Sequence, residues 1–112
     1  MITVQVVERE GSGLYQTLKE AMRSGDLRTF SLSDRGRRVV HVSAPGSMKW
    51  THSRGTIIFD LPIGRLGENW QLLSKWVGRL ADRYAHDIQS ISIRFLAPAA
   101  KTSAAKTRRT RG

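Results

Sequence analysis

Hydrophobic and polar residues change their spacing several times along the chain, and each change marks a predicted element. Apolar and polar residues alternate over 2–7, which indicates a first strand. Apolar residues then recur every three or four positions over 12–24, which predicts a helix with Ser12 as its N-cap. Gly25 stands where a left-handed residue commonly ends a helix.

Four short runs of strand-forming residues follow, separated by turns rich in Gly, Ser, Pro and Asp. Trp50 and His52 alternate with polar neighbours in the third of these runs, so the strand register decides whether both rings lie in the core or on an open sheet face. Pro62 ends the fourth run. Four strands joined by three short turns predict an antiparallel meander. The runs cover 29–32, 38–43, 48–52 and 56–61.

A second helix is predicted over about 68–87, because its apolar residues recur in steps of three or four. Trp76 lies at the edge of this stripe. A last alternating run over 91–95 predicts a strand. The order β-α-β-β-β-β-α-β predicts an α+β fold, mostly an antiparallel sheet, with two helices packed on one face. The apolar stripe of the second predicted helix consists of Trp70, Leu73, Val77, Leu80, Tyr84 and Ile88.

The last sixteen residues break the pattern. Residues 97–112 hold five cations, no acid and no large apolar side chain. Such a segment cannot bury enough apolar surface to offset the entropy of ordering. We therefore expect a single domain over 1–96 and a disordered basic tail over 97–112.

Charge points to a class of partner. Nineteen Lys and Arg face nine Asp and Glu, which gives a net charge of +10. The tail accounts for only half of this excess, and fourteen of the nineteen cations are Arg. Because Arg binds phosphate with a planar two-pronged donor set and stacks on bases, the composition favours a polyanionic partner.

Several classes of function lack their usual sequence signals. Without cysteine there is no disulfide framework, thiolate nucleophile or Cys-ligated zinc. The histidines have no metal-ligand spacing, and no cofactor motif is present, so no metal and no cofactor are expected. A signal peptide and a membrane-length apolar run are likewise missing, so we expect a cytoplasmic location.

The first candidate contact is the hairpin tip at 34–38. Arg35, Arg37 and Arg38 cluster there, with Arg28 nearby in sequence, and Gly36 allows a close backbone approach. The alternative interpretation is a solvated turn. A charged turn of this kind would suit phosphate contacts.

Two further candidates lie later in the chain. Lys49 belongs to the strand that carries Trp50, and Arg54 lies in the turn that follows it. Trp50 could stack on unpaired bases if it faced solvent. Arg65 lies in Gly-Arg-Leu-Gly at 64–67, which resembles the GxxG loop that grips nucleic-acid backbone in KH modules, although here a strand and not a helix precedes it.

Catalysis and protein binding are the competing hypotheses. His41 and His52 lie on neighbouring predicted strands and, with Lys49, could in principle carry out acid–base cleavage of RNA. Asp60 or Asp87 could orient an imidazole. The exposed edge of the second helix, at Trp76, could instead anchor a protein partner.

The leading hypothesis is a non-enzymatic protein that binds DNA or RNA through exposed Arg and Lys and a basic tail. The first alternative is an adaptor or inhibitor module that binds an acidic protein surface, and the second is a small ribonuclease-like toxin. Sequence specificity and oligomeric state stay open. The predicted nucleic-acid contacts are Arg28, Arg35, Arg37, Arg38, Lys49, Arg54, Arg65, Lys101, Lys106, Arg108, Arg109 and Arg111.

Overall fold

A computed structural model of the chain describes residues 1–62 and 68–96 and confirms the predicted α+β order. Two helices accompany six strands, and a short 3₁₀ turn precedes the last strand. The strands are β1 (Ile2–Glu8), β2 (Phe30–Ser33), β3 (Arg38–His41), β4 (Met48–Ser53), β5 (Thr56–Leu61) and β6 (Ile88–Phe95). The helices are α1 (Leu14–Ser24) and α2 (Glu68–Arg83), with the 3₁₀ turn at Ala85–Asp87.

The six strands form one antiparallel sheet in the order β2-β3-β4-β5-β1-β6. The meander β2 to β5 supplies one side of the sheet. The first strand lies between β5 and the last strand, so the two ends of the domain meet across β1 and β6. The edges of the sheet are therefore β2 and β6.

One face of the sheet is apolar and covered. Residues directly opposite each other on neighbouring strands share a face, and one such row runs through Trp50, Phe59 and Val4, all buried. The helices complete this core with apolar residues on their inner faces. Trp50 therefore belongs to the core, and its predicted alternative role as an exposed stacking platform is wrong. The helix residues in the core include Leu14, Leu18, Met22, Leu72, Leu73, Trp76 and Leu80.

The opposite face carries mostly short polar and charged side chains. A row across it joins Arg38, Lys49, Asp60 and Thr3, which follow from the register of the four strands. Thr3 donates a hydrogen bond to Asp60 at 2.9 Å. No aromatic residue of the described strands lies on this face. The sheet thus shows the inside-apolar, outside-polar alternation of a one-sided antiparallel sheet.

The second helix buries much of the predicted stripe, since Leu73 and Leu80 lie in the core, but its buried face extends to the Trp76 side. Trp76, expected at the rim, is fully buried, whereas Trp70 is 52% exposed. The two indoles lie about 120° apart around the helix, since each residue advances about 100°. The buried face of the helix is centred between Trp76 and Leu80, which leaves Trp70 toward the edge of the sheet beside Phe95. The helix ends at Arg83, short of the predicted 87, and Ile88, the last residue of the predicted stripe, begins β6.

The first helix is not capped by Ser12. Its N-cap is Gly13, with φ of 64° and no capping side chain, while the Ser12 hydroxyl donates to the carbonyl of Asp87. The free backbone N–H of Tyr15 donates instead to the carboxylate of Glu8 at 2.9 Å. That carboxylate also lies 3.2 Å from His52 Nε2. A carboxylate from β1 therefore satisfies the helix N-terminus and its partial positive charge.

We predict that Glu8→Ala lowers the free energy of unfolding by about 1–2 kcal/mol, because it leaves the Tyr15 N–H without its acceptor. Urea unfolding followed by circular dichroism measures the change. Glu10→Ala removes the same charge at an exposed position and is the control, expected near zero. Equal losses in the two variants would contradict the assigned capping role.

Candidate functional site

A cleft of about 570 Å³ lies between α1 and the turn that joins β2 to β3. Four cations line it, Lys19 and Arg23 from the helix and Arg35 and Arg37 from the turn. None of the described residues that line it is acidic. We call this region, defined by the four cations, the basic cleft. It brings together two groups of positive charge that are separate in sequence.

The helix contributes its pair through simple periodicity. Lys19 and Arg23 are four residues apart and so lie on one face, while Leu18 and Met22 point into the core. The Lys19 ammonium lies 5.7 Å from the centre of the Tyr15 ring. Tyr15 also lines the cleft, so this cation–π contact keeps the ammonium beside it.

The turn contributes its pair through an unusual backbone. Asp34, Arg35 and Gly36 all have positive φ, at 51°, 57° and 84°. The strand pairing closes at Ser33 and Arg38, so the loop has four residues. Two overlapping turns form it: the Gly36 N–H donates to Ser33 O at 3.0 Å, and the Arg37 N–H donates to Asp34 O at 3.1 Å. The tight turn places Arg35 and Arg37 together at one end of the sheet.

Trp50 fixes this turn to the core. The indole N–H of Trp50 donates to the carbonyl of Gly36 at 2.8 Å. Its backbone N–H donates to the carbonyl of Arg37 at 3.1 Å. The buried indole also packs against Tyr15, with ring centroids 4.6 Å apart. Trp50 therefore positions both walls of the cleft.

Two of the four cations have ionic partners. Arg23 lies 3.6 Å from Glu20, and Arg37 lies 3.4 Å from Asp34. Both pairs are more than half exposed, so solvent screens them and they contribute little to stability. Within the described ranges, Lys19 and Arg35 form no ion pair. The cleft thus retains uncompensated positive charge and two further cations that an incoming anion can recruit.

The remaining predicted contacts lie elsewhere. Arg38 and Lys49 are register partners on the open sheet face, and Arg38 donates to the Ser47 hydroxyl at 3.2 Å. Arg54 lies in the β4–β5 turn, and Arg28 precedes β2 at the end of the sheet away from the turn at 34–37. None of these four lines the basic cleft.

Part of the predicted contact set lies outside the described residues. This applies to Arg65, with the GxxG sequence around it, and to the five tail cations Lys101, Lys106, Arg108, Arg109 and Arg111. Conversely, Lys19 and Arg23 were not predicted as contacts. Their four-residue spacing on one helix face was the available signal.

The histidines do not form a shared site. His41 Nδ1 accepts the backbone N–H groups of Ser43 at 3.0 Å and Ala44 at 3.2 Å, which places the proton of the neutral ring on Nε2. His52 stacks on Tyr15 with ring centroids 4.5 Å apart. The two imidazoles lie at opposite ends of β3 and β4, so the predicted approach that would suit RNA cleavage does not occur.

Burial lowers the pKa of His41 from its ordinary value of 6.5, and the positive charges of Lys75 and Arg79 lower it further. His41, Lys75 and Arg79 line a second cleft of about 580 Å³. Thr29 and Asp82 also line this cleft. The neutral ring matches its role as an acceptor for the loop after β3. His41 is thus engaged in the local structure.

The described residues contain no group of three or more His, Cys, Asp or Glu suited to a metal ion. No helix among them is long and apolar enough to cross a membrane. Comparisons of the chain with protein-family models, with curated proteins and with solved structures found no match. Any function must therefore be argued from the geometry of the site.

We predict that His41 makes stability fall as pH drops through about 6.5. Because its folded-state pKa lies below the value in the unfolded chain, the unfolded chain takes up the proton first. His41→Asn keeps an acceptor for the loop and removes the titration. Urea unfolding between pH 7.5 and 5.5 should show a smaller loss of stability in this variant than in the wild type. Identical pH dependence would contradict the prediction.

Proposed function

We propose that the protein is a non-enzymatic nucleic-acid-binding protein that contacts the phosphate backbone through the basic cleft. The observation that carries this proposal is the convergence of four cations from two elements on one cleft without a lining acid. Phosphate is the anion that such a set suits best, since Arg can donate two parallel hydrogen bonds to it and Lys adds a point charge.

The surroundings of the cleft support binding to a long polyanion. Arg38 and Lys49 lie side by side on the open face, although Asp34 lies 3.9 Å from Arg38 and Asp60 lies opposite Lys49, and the net charge of the whole chain is +10. Phosphates that continue beyond the cleft would meet further positive charge. Such a distribution supplies affinity through neutralised phosphates and released counterions.

The proposed binding does not depend on reading bases. Trp50 is buried, and His52 is engaged with Tyr15, so neither ring offers a free platform for an unpaired base. Contacts from Lys and Arg to phosphate fix position without sequence information. We therefore expect tolerance of sequence, and the logarithm of the affinity should fall linearly with the logarithm of salt concentration.

We predict that the double variant Lys19→Gln with Arg35→Gln binds a duplex probe about tenfold more weakly at low salt, with a salt slope smaller by about two. These cations have no ionic partner in the described part of the chain, so their loss should leave the unfolding midpoint nearly unchanged. Fluorescence anisotropy across salt concentrations measures binding.

The matched control removes the same charge from α2, outside the basic cleft, with Lys75→Gln and Arg83→Gln. The control variant should weaken binding only about two- to threefold, through the long-range electrostatic field. Equal losses of affinity in both double variants would show that net charge alone determines binding. Unchanged binding by the cleft variant would refute the proposed site.

We also predict that removing residues 97–112 weakens binding by one to two orders of magnitude or so at low salt, since up to about five phosphate contacts disappear. The circular dichroism spectrum and unfolding midpoint should not change. Any preference between single- and double-stranded probes should persist, because a basic arm does not read shape. A truncated chain that melts markedly earlier, or that binds as before, would contradict this prediction.

A further inference from the structure

The last strand forms a long edge of the sheet, with apolar side chains on its covered face. β6 spans eight residues from Ile88 to Phe95 and pairs with β1 on one side. In the described part of the chain no strand lies on its other side. It contains no proline, and its free edge has none of the inward-pointing charges that commonly block edge-to-edge pairing. Such an edge is open to another strand.

The backbone groups available on this edge follow from the ladder with β1. Met1 and Leu96 exchange two hydrogen bonds, at 2.8 and 3.1 Å. Because antiparallel pairs alternate, the backbone groups of Arg94, Ser92 and Ser90 also face β1. Those of Ile91, Ile93 and Phe95 therefore point outward from the sheet.

The side chains of the same three residues lie on the covered face of the sheet, where the helices no longer shield them fully. Ile93 is 37% exposed and Phe95 is 63% exposed. Trp70 extends the apolar surface, with its ring centroid 6.4 Å from that of Phe95. We call Ile93, Phe95 and Trp70 the edge patch. A contiguous exposed patch of large apolar side chains commonly marks an interaction site.

We propose that β6 pairs antiparallel with β6 of a second copy of this chain about a twofold axis at Ile93. The two six-stranded sheets would then join into one. Ile93 lies opposite its own counterpart, and Ile91 lies opposite Phe95 of the other copy. All three pairs use the outward backbone groups, which allows six hydrogen bonds across the interface. The edge patches of both copies become neighbours on the covered face.

The proposed register is selected by the side chains. On the open face it places Ser92 opposite Arg94, so that no cation faces a cation directly. A shift of the axis to Arg94 would oppose the two Arg94 side chains. A shift to Ser92 would place Phe95 opposite the polar Gln89. The axis at Ile93 alone, among these three, matches apolar with apolar and separates the charges.

A second copy suits this edge better than the chain's own tail. Residues 97–112 contain only Ala and Pro as apolar side chains, together with five cations. They therefore offer nothing large enough to cover Trp70 and Phe95. A second β6 brings a matching strand and its own edge patch, which is the self-complementary arrangement that a twofold interface requires.

Single cysteines test the register, because the natural chain has none. Ile93→Cys places two thiols at the twofold axis, where Cα atoms about 5.5 Å apart bring them within reach of a short bismaleimide. Ser90→Cys is the matched control, since Ser90 would lie opposite Leu96 of the other copy, roughly 20 Å along the strand from its counterpart. A short bismaleimide added to the full chain should cross-link the first variant and not the second. Equal cross-linking, or none in Ile93→Cys, would overturn the proposed register.

Analytical ultracentrifugation of the wild type over a concentration series should show a monomer–dimer equilibrium. Ile93→Lys should raise the dissociation constant at least tenfold, while Gln5→Lys, the same added charge on the open face, should leave it within about twofold. A wild type that stays monomeric throughout, or an Ile93→Lys variant that dimerises as before, would overturn the proposal. If Ile93→Lys does not fold, the cysteine pair still decides. Both measurements exclude nucleic acid and so are independent of the proposed function.

Discussion

The hydrogen bond from the Trp50 indole to the carbonyl oxygen of Gly36 links the core to the candidate site. It is 2.8 Å long and satisfies a polar N–H that would otherwise be buried among apolar residues. The same indole packs on Phe59 of β5, on the covered face of the sheet, and on Tyr15 of α1. Any movement of Trp50 would therefore disturb the sheet, the helix and the turn together, and with them the spacing of the cations in the basic cleft.

The elements of this fold are visible in the sequence because each repeats a local period. The alternation around Val4 and Phe59 and the helical spacing around Leu18 identify strands and helices without knowledge of their partners. The same periodicity left the faces of α2 uncertain, since Trp70, Trp76 and Leu73 all fit a broad apolar stripe. Which residue is buried depends on where the helix lies on the sheet, and that is set by contacts distant in sequence.

The site was only half predictable for a related reason. Arg35 and Arg37 stand out because they cluster in one turn, whereas Lys19 and Arg23 belong to an ordinary amphipathic helix. Their juxtaposition arises from the packing of α1 beside β2. The capping of α1 by Glu8 has the same origin, because a side chain that precedes the helix by six residues replaces the expected Ser12 only after β1 is in place.

The two edges of the sheet differ in a way that connects the two proposals. The β2 edge carries the basic cleft, and the β6 edge carries the apolar patch, at opposite sides of the sheet. A β6-paired dimer would hold its two clefts at the outer edges of twelve strands, roughly 50 Å apart at about 4.8 Å per strand. A polyanion shorter than this distance could occupy only one cleft. A duplex longer than roughly 15 base pairs, at 3.4 Å per pair, could reach both, and the second contact would then form at a high effective concentration. Pairing at the apolar edge would thus make the affinity of the basic edge depend on ligand length, even though neither cleft changes.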